Sequence, residues 1–509
     1  MMMMSNERFI HLTMALLLWA GGAAACSEDD AESVADAPTC VDPAAAYPIS
    51  SSLETGPTSS AFYDTVSPFE YADMERTHVH RADFYGATDG SEVSVTSSRY
   101  PCTYENPYNI VTRERDEAFL YVTDPVPYIV KIDVETQEPV WRTDIPVLED
   151  NFNWVGLVAV HGNGDVYAVH ARTLVRLDAA TGAIVARADL PPPAGSEARD
   201  TVYNGFTIAP NGLIVGKSYG RPAGCEESGT DAIINCVSED NPQPPSAIIT
   251  LDPDTLAVLS AVDLPAVATG RPAVAQYSGE TYLYLNGADD VFRLRLSGSE
   301  LILDEDWRLS GFLTDGQSGS SSVVVLGDWV AFQTNGTPAR SAMTVHVVSQ
   351  ADDVISATFD LPAPELASFT PSSLTADPVS MAIYAQDGGA GHITRLDFDE
   401  SAVTLSENWM IQQSTIQHVT LIGPPEERVL VGTDAPESPR GFIMGNYDYQ
   451  EEVVWRSAAT GDELARSDAL PAMHYGGPVT PGFDGVLFYL GIDGSILELS
   501  PMGPEPVCD

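Results

Sequence analysis

Lysine is almost missing from this chain: Lys131 and Lys217 are the only two in 509 residues. Basic side chains number 24 against 73 acidic ones, a formal net charge of −49 at pH 7. A surface of that sign repels phosphate backbones, which excludes nucleic acid as a partner, and it argues against docking on anionic lipid. The excess acid keeps a protein soluble, including at high salt, or it draws cations and cationic partners; composition leaves both readings open. No C-x-x-C pair suggests zinc, and no C-x-x-C-H run suggests covalent haem. G-x-S-x-G, P-loop, H-E-x-x-H and EF-hand patterns are absent as well.

Long hydrophobic runs are also lacking. The longest, Leu12 to Ala20, is too short for a comfortable membrane span. It follows Arg8 and precedes the small residues Gly21 to Ala25 and then Cys26, which is the order of an export signal. The end of that run resembles a bacterial lipobox, with Cys26 as the lipidated first residue of the mature chain. Ser27 after the cysteine points, by the same resemblance, to the outer membrane. The other reading is cleavage elsewhere to release a soluble secreted protein. Residues 26–75 are rich in Ala, Ser, Pro, Asp and Glu and lack periodicity, so they read as a flexible acidic tether.

What is abundant is repetition. Aromatic and β-branched runs begin at Phe119, Val166, Leu213, Tyr282, Trp329, Met381, Val429 and Val486. A spacing near 47 residues, with a few longer gaps, predicts one all-β domain, a β-propeller of eight four-stranded blades over residues 109–509. Seven blades is the alternative. The 40 Gly and 37 Pro suit a fold of many tight turns.

The stretch 154–191 shows one blade most clearly. WVGLVAV is an inner strand, DVYAVHA a second, TLVRLD a third, and AIVARADLP a fourth after the turn AATG. Asp at the end of the third strand is suited to accept turn amides, and Gly182 and Gly461 to adopt positive φ. The last repeat supplies only three strands, so its ring needs closure. Residues 76–108 include the strand-like stretch Ser91 to Ser98, which is expected to donate the missing fourth strand.

Export permits disulfides. Cys225 and Cys236 bound a polar segment inside an insertion at 219–245 and form the expected pair. Cys102 and Cys508 lie at the two ends of the ring and would lock it shut, leaving Cys40 over.

The D-x-x-T-G turn recurs in part at Asp133/Thr136, Asp178/Thr181/Gly182, Asp252/Thr255 and Thr460/Gly461. It resembles the repeat of PQQ-like, or quinoprotein-dehydrogenase-like, β-propellers. A terminal tryptophan follows only the first copy, at Trp141. The resemblance implies the fold from about residue 109 to 509. Catalytic members would bring PQQ and calcium, together with an adjacent Cys-Cys pair or a cation over the quinone. This chain has no adjacent cysteines, and its lysines lie in blade strands, so no cofactor is expected. Non-enzymatic members include scaffold lipoproteins of outer-membrane assembly.

Loops leading into the inner strands line the mouth of a propeller channel. They place Asn106, Tyr108, Asn153, Trp154, Tyr203, Asn204, Arg271, Ser321, Ser322, Thr370, Ser372, Gln417, His418, His474 and Tyr475 around it. Asn153, Trp154, Tyr203, Asn204, Arg271, His418, His474 and Tyr475 are the candidate ligand-binding set. Arg271 would hold a carboxylate or phosphate; the plainer reading pairs it with surface carboxylates. No catalytic or metal-binding residue is assigned. His78 and His80 share one face if the chain there is extended, but no third ligand accompanies them. The whole reads as an envelope lipoprotein whose propeller binds a ligand or an envelope protein. The alternative is an enzyme at the channel mouth, a quinone-dependent oxidoreductase or a metal-assisted hydrolase.

Overall fold

The computed structural model describes residues 53–59, 61–88, 93–123, 126–147, 152–319, 322–336, 341–363, 374–415, 417–435, 449–473 and 477–502. They form eight antiparallel sheets, each with a path of four strands, arranged as the blades of one propeller. The second strands of successive blades are Glu117–Val122, Val166–His170, Ile214–Gly220, Glu280–Asn286, Trp329–Gln333, Ala382–Asp387, Val429–Asp434 and Leu487–Leu490. Each coincides with one of the eight returning apolar runs. Those strands are covered on both faces by neighbouring blades, so they read as continuous apolar stretches and not as an alternation. Outer strands such as Ile184–Asp189 do alternate in exposure, because one face meets solvent.

Ring closure follows the expected route. Ser94–Arg99 pairs antiparallel with Ile496–Met502, from Ser94 opposite Met502 to Arg99 opposite Leu497. The final blade thus joins the two ends of the chain. The turn chemistry also holds: the Asp178 carboxylate accepts from Thr181 N at 2.8 Å, and Asp252 does the same from Thr255 N at 2.8 Å. Gly182 and Gly461 sit at φ 72° and 78°.

The blade-three insertion leaves after Gly220 and returns at Ala247. It carries the helix Gly229–Cys236 and the Cys225–Cys236 disulfide. Cys102 is buried and disulfide-bonded; its expected partner Cys508 lies outside the described residues, as do Cys26 and Cys40.

The tether reading does not extend over residues 53–75. From Leu53 onward the chain enters the ring at the turns that follow the inner strands, which we call the lower face. The Thr58 N–H donates to Gly162 O at 2.8 Å, and Tyr63 and Thr55 both bond Glu114. Residues 66–82 then run around the inside of the channel. Thr112 N donates to Ser67 O, Val160 N to Pro68 O, Val274 N to Met74 O, Val325 N to Glu75 O, Ala376 N to Thr77 O and Leu421 N to His78 O. These donors belong to the inner strands of blades one, two, four, five, six and seven. Phe69 and Tyr71 pack with Tyr203, Phe206 and Ile208 of blade three, and Ser67 Oγ donates to Pro481 O of blade eight at 2.6 Å. The segment leaves at the lower face, where Gly423 N donates to Ala82 O, and continues to the closing strand. Its Ala, Ser, Pro and acidic composition resembles a linker because its order comes from contact with the wall and not from a period of its own.

Phe69 is fully buried in this segment. Phe69→Ala should cost about 3–5 kcal/mol, the usual loss for a large core side chain. Thermal or denaturant melting of the ring checks this; a flexible tether at that position predicts no change.

Candidate functional site

At the upper end of the channel the inner strands begin, and the inner segment meets the residues expected at the mouth. Arg271 lies just before the inner strand Ala273–Tyr277, next to Ser322 of the following blade through a parallel bridge. Its Nε donates to Asn204 O at 2.9 Å, Nη2 to Tyr108 Oη at 3.3 Å and Nη1 to Tyr71 Oη at 3.4 Å. It forms an ion pair with Glu70 of the inner segment. A Cβ on Gly205 would fall 2.9 Å from the Arg271 Cδ and Nε, so glycine is what lets the guanidinium cross the bulged strand of blade three.

Glu70 is also 3.8 Å from Arg76, which is completely buried. The Arg76 guanidinium stacks on Tyr71, 3.8 Å from the ring centroid, and its three nitrogens have no hydrogen-bond acceptor. Tyr71 is the hub of this cluster. Its hydroxyl meets His418 Nε2 at 3.0 Å, and its other contacts include a stacked His78 ring at 4.7 Å. Burial pushes Arg76 down to about 10 and Arg271 to about 9, values that leave both charged at neutral pH. The result is an Arg–Glu–Arg triad in the molecule's centre, with one carboxylate shared by two cations.

Lys217, on the second strand of blade three, adds a third buried cation. Its Nζ donates to Ala268 O at 2.8 Å. Burial, and then the charge of Arg76, push it down to about 7.

The remaining expected residues scatter. Asn153 is exposed, and its carbonyl accepts from Gly229 N of the insertion at 2.9 Å. Trp154 packs on Tyr219 beside the disulfide loop, ring centroids 5.2 Å apart. Tyr203 points between blades two and three, where its hydroxyl donates to Pro191 O. Asn106 accepts from Thr123 N as a loop cap. Gln417 is fully buried, and its Oε1 accepts from Gly477 N. Ser321, Thr370, Ser372, His474 and Tyr475 lie outside the described residues. The structure therefore brings Tyr108, Asn204, Arg271 and His418 together around Tyr71 and Glu70, and places Asn153 and Trp154 under the insertion instead.

His78 and His80 do not share one strand face. His78 has a φ of 61°, so the chain is not extended there. Its Nδ1 lies 3.0 Å from Val419 O, whereas His80 Nδ1 lies 2.8 Å from Ser67 Oγ. Burial holds their pKa values down at about 3 and about 4, so both rings are neutral at physiological pH.

Sequence reasoning missed Glu70, Tyr71 and Arg76. The signal was present: SPFEYADMERTHVH brings two aromatics, a glutamate between them, an arginine and two histidines into fourteen residues.

No family model and no curated protein matches the chain. Solved structures do. A quinohemoprotein alcohol dehydrogenase from Comamonas testosteroni aligns with 12% identity and a TM-score of 0.53, over 84% of this chain and 76% of that one. The quinohemoprotein alcohol dehydrogenase ADHIIG from Pseudomonas putida HK5 gives 12% and 0.50, over 87% and 82%. BamB from Moraxella catarrhalis gives 12% and 0.45, over 80% and 98%. What the two alcohol dehydrogenases share with this chain is the β-propeller fold. At such identity the likeness is one of fold alone.

The residues of the mouth do not fit a quinone with calcium. Glu70, Tyr71 and Arg76 of the chain itself fill the centre, and the described residues contain no group of three or more His, Cys, Asp or Glu side chains able to hold a metal.

Two outcomes follow from the buried charges. Glu70→Gln leaves Arg76 and Arg271 without their shared carboxylate and should cost about 3–5 kcal/mol, measured by denaturant melting. Lys217 binds a proton in the unfolded chain that the folded chain sheds between about pH 7 and its ordinary value of 10.5. Stability therefore rises with pH across that window. Lys217→Met should raise the melting temperature at pH 7 and flatten the slope from pH 7 to 10.

Proposed function

We infer that this chain is an exported, lipid-anchored protein whose propeller works as a protein-interaction module of the cell envelope, through its loop-bearing upper face and not through an open channel. The observation that carries this reading is the filling of the channel mouth. Arg271, the cation best suited there to a small anionic ligand, is paired with Glu70 of the same chain, and His418 is engaged by Tyr71.

The two faces also differ in build. On the lower face the turns are short, such as 161–165 and 178–183. On the upper face the second and third strands of blade three are joined by residues 221–246, stapled by the disulfide and packed on Phe152, Trp154 and Tyr219. A rigid scaffold carrying elaborated loops on one side is the usual arrangement for recognition. The inner segment enters from the lower face, opposite the insertion. The strong negative charge favours a cationic partner.

Cys26→Ser should shift the protein from the membrane to the soluble fraction, and the mature wild type should carry acyl mass on Cys26; more than one acyl chain is needed for stable anchoring. Photo-crosslinkers at Asn153 and Glu227 in living cells should capture one defined envelope protein, while the same probe at exposed Asp254 on the lower face should not. A quinone absorption band in native protein, with calcium-dependent dye reduction, would overturn the module reading in favour of the enzyme.

A further inference from the structure

The inner strand of each blade has one edge bonded to its own second strand and one edge turned to the channel. Six of those inner strands donate an N–H into the channel, and every one meets a carbonyl of residues 67–78. The order is collinear. Ser67 faces blade one, Pro68 blade two, Met74 blade four, Glu75 blade five, Thr77 blade six and His78 blade seven, at N···O distances of 2.8–3.1 Å. The wall thus holds the segment by a ring of main-chain bonds, with a donor from each of six blades.

Side chains add selectivity to the main-chain ring. Arg271 takes the Glu70 carboxylate, and Tyr71 occupies a slot between His418 and the blade-three core. Phe69 lies in the same apolar cluster, stacked on Phe62 with ring centroids 5.0 Å apart. The segment pays for this fit locally: Ala72, Arg76 and His78 have φ values of 68°, 62° and 61°, a region that non-glycine residues rarely adopt. Arg76, on the segment itself, ends with no hydrogen-bond acceptor for its guanidinium. The positive φ values lie on the segment and not within the wall strands that receive it, whereas buried polar atoms without a hydrogen-bond partner occur on both, at Arg76 and at Thr207 and Thr480 of the wall.

We propose that the channel wall is a receptor for a bent, turn-containing polypeptide segment carrying an aromatic–carboxylate–aromatic triplet, and that residues 66–82, with Phe69-Glu70-Tyr71, are its resident ligand. The segment leaves and re-enters as one unit while the blades keep their pairing. This site is separate from face-mediated interaction and does not depend on lipid anchoring.

Hydrogen exchange on the full wild-type chain reads the first half of the proposal. The amides of Thr112, Val160, Val274, Val325, Ala376 and Leu421 should share one protection factor, at least tenfold lower than that of the second-strand amides. If these six exchange only when the whole ring unfolds, the segment is integral core and the proposal fails. The second half uses the full chain with Cys40→Ser and a protease site inserted between Gly90 and Ser91, cut after folding. A labelled synthetic peptide of residues 61–86 should exchange into the cut protein at one copy per ring. The Glu70→Lys peptide should bind at least tenfold more weakly. Failure of exchange, or equal uptake of a scrambled peptide, overturns the receptor.

Discussion

An eight-bladed ring leaves a channel whose wall is made of strand edges, and those edges carry main-chain groups that need partners. This one requirement organises the molecule. The chain meets it by sending residues 66–82 around the inside of the ring before the blades begin, so that one segment satisfies donors from six blades in order. The same stretch of chain then supplies the outer strand of the last blade. Channel filling and ring closure are thus two consequences of one N-terminal excursion, and both tie residues distant in sequence.

Charge is distributed to match. Acids cover the surface, while three of the few cations, Arg76, Arg271 and Lys217, are drawn into the centre. A buried ion pair seldom adds much net stability, but breaking one is costly, because the remaining charge stays buried. The Arg–Glu–Arg triad therefore acts mainly to specify where the inner segment sits. It also pairs Arg271 within the chain, below an upper face that carries the blade-three insertion. There the insertion and its disulfide form a rigid platform over Trp154 and Tyr219.

Several elements are legible in the sequence. Second strands announce themselves as apolar runs because both of their faces are covered. The D-x-x-T-G turns announce themselves because an Asp acceptor and a positive-φ glycine are needed at fixed offsets, and Asp178 and Gly182 do what their types suggest. Closure by the Ser94–Arg99 strand followed from counting three strands where four were needed. The Cys225–Cys236 pair followed from proximity. The mouth was legible only in part. Tyr108, Asn204, Arg271 and His418 do converge, but what they converge on was not visible, since Glu70 and Tyr71 lie in a stretch whose composition looks like linker.

Local rules decided the number of blades, the turns and the short disulfide, because each depends on residues that are neighbours in sequence or recur at a fixed period; the closing strand followed from the strand count of the last repeat. The path of residues 53–88 was decided by tertiary structure alone. An isolated stretch of that composition has no period to bury and no core to form, so it cannot hold a shape by itself. Only the finished ring offers the circle of N–H donors, the aromatic slots and the Arg271 guanidinium that give it one.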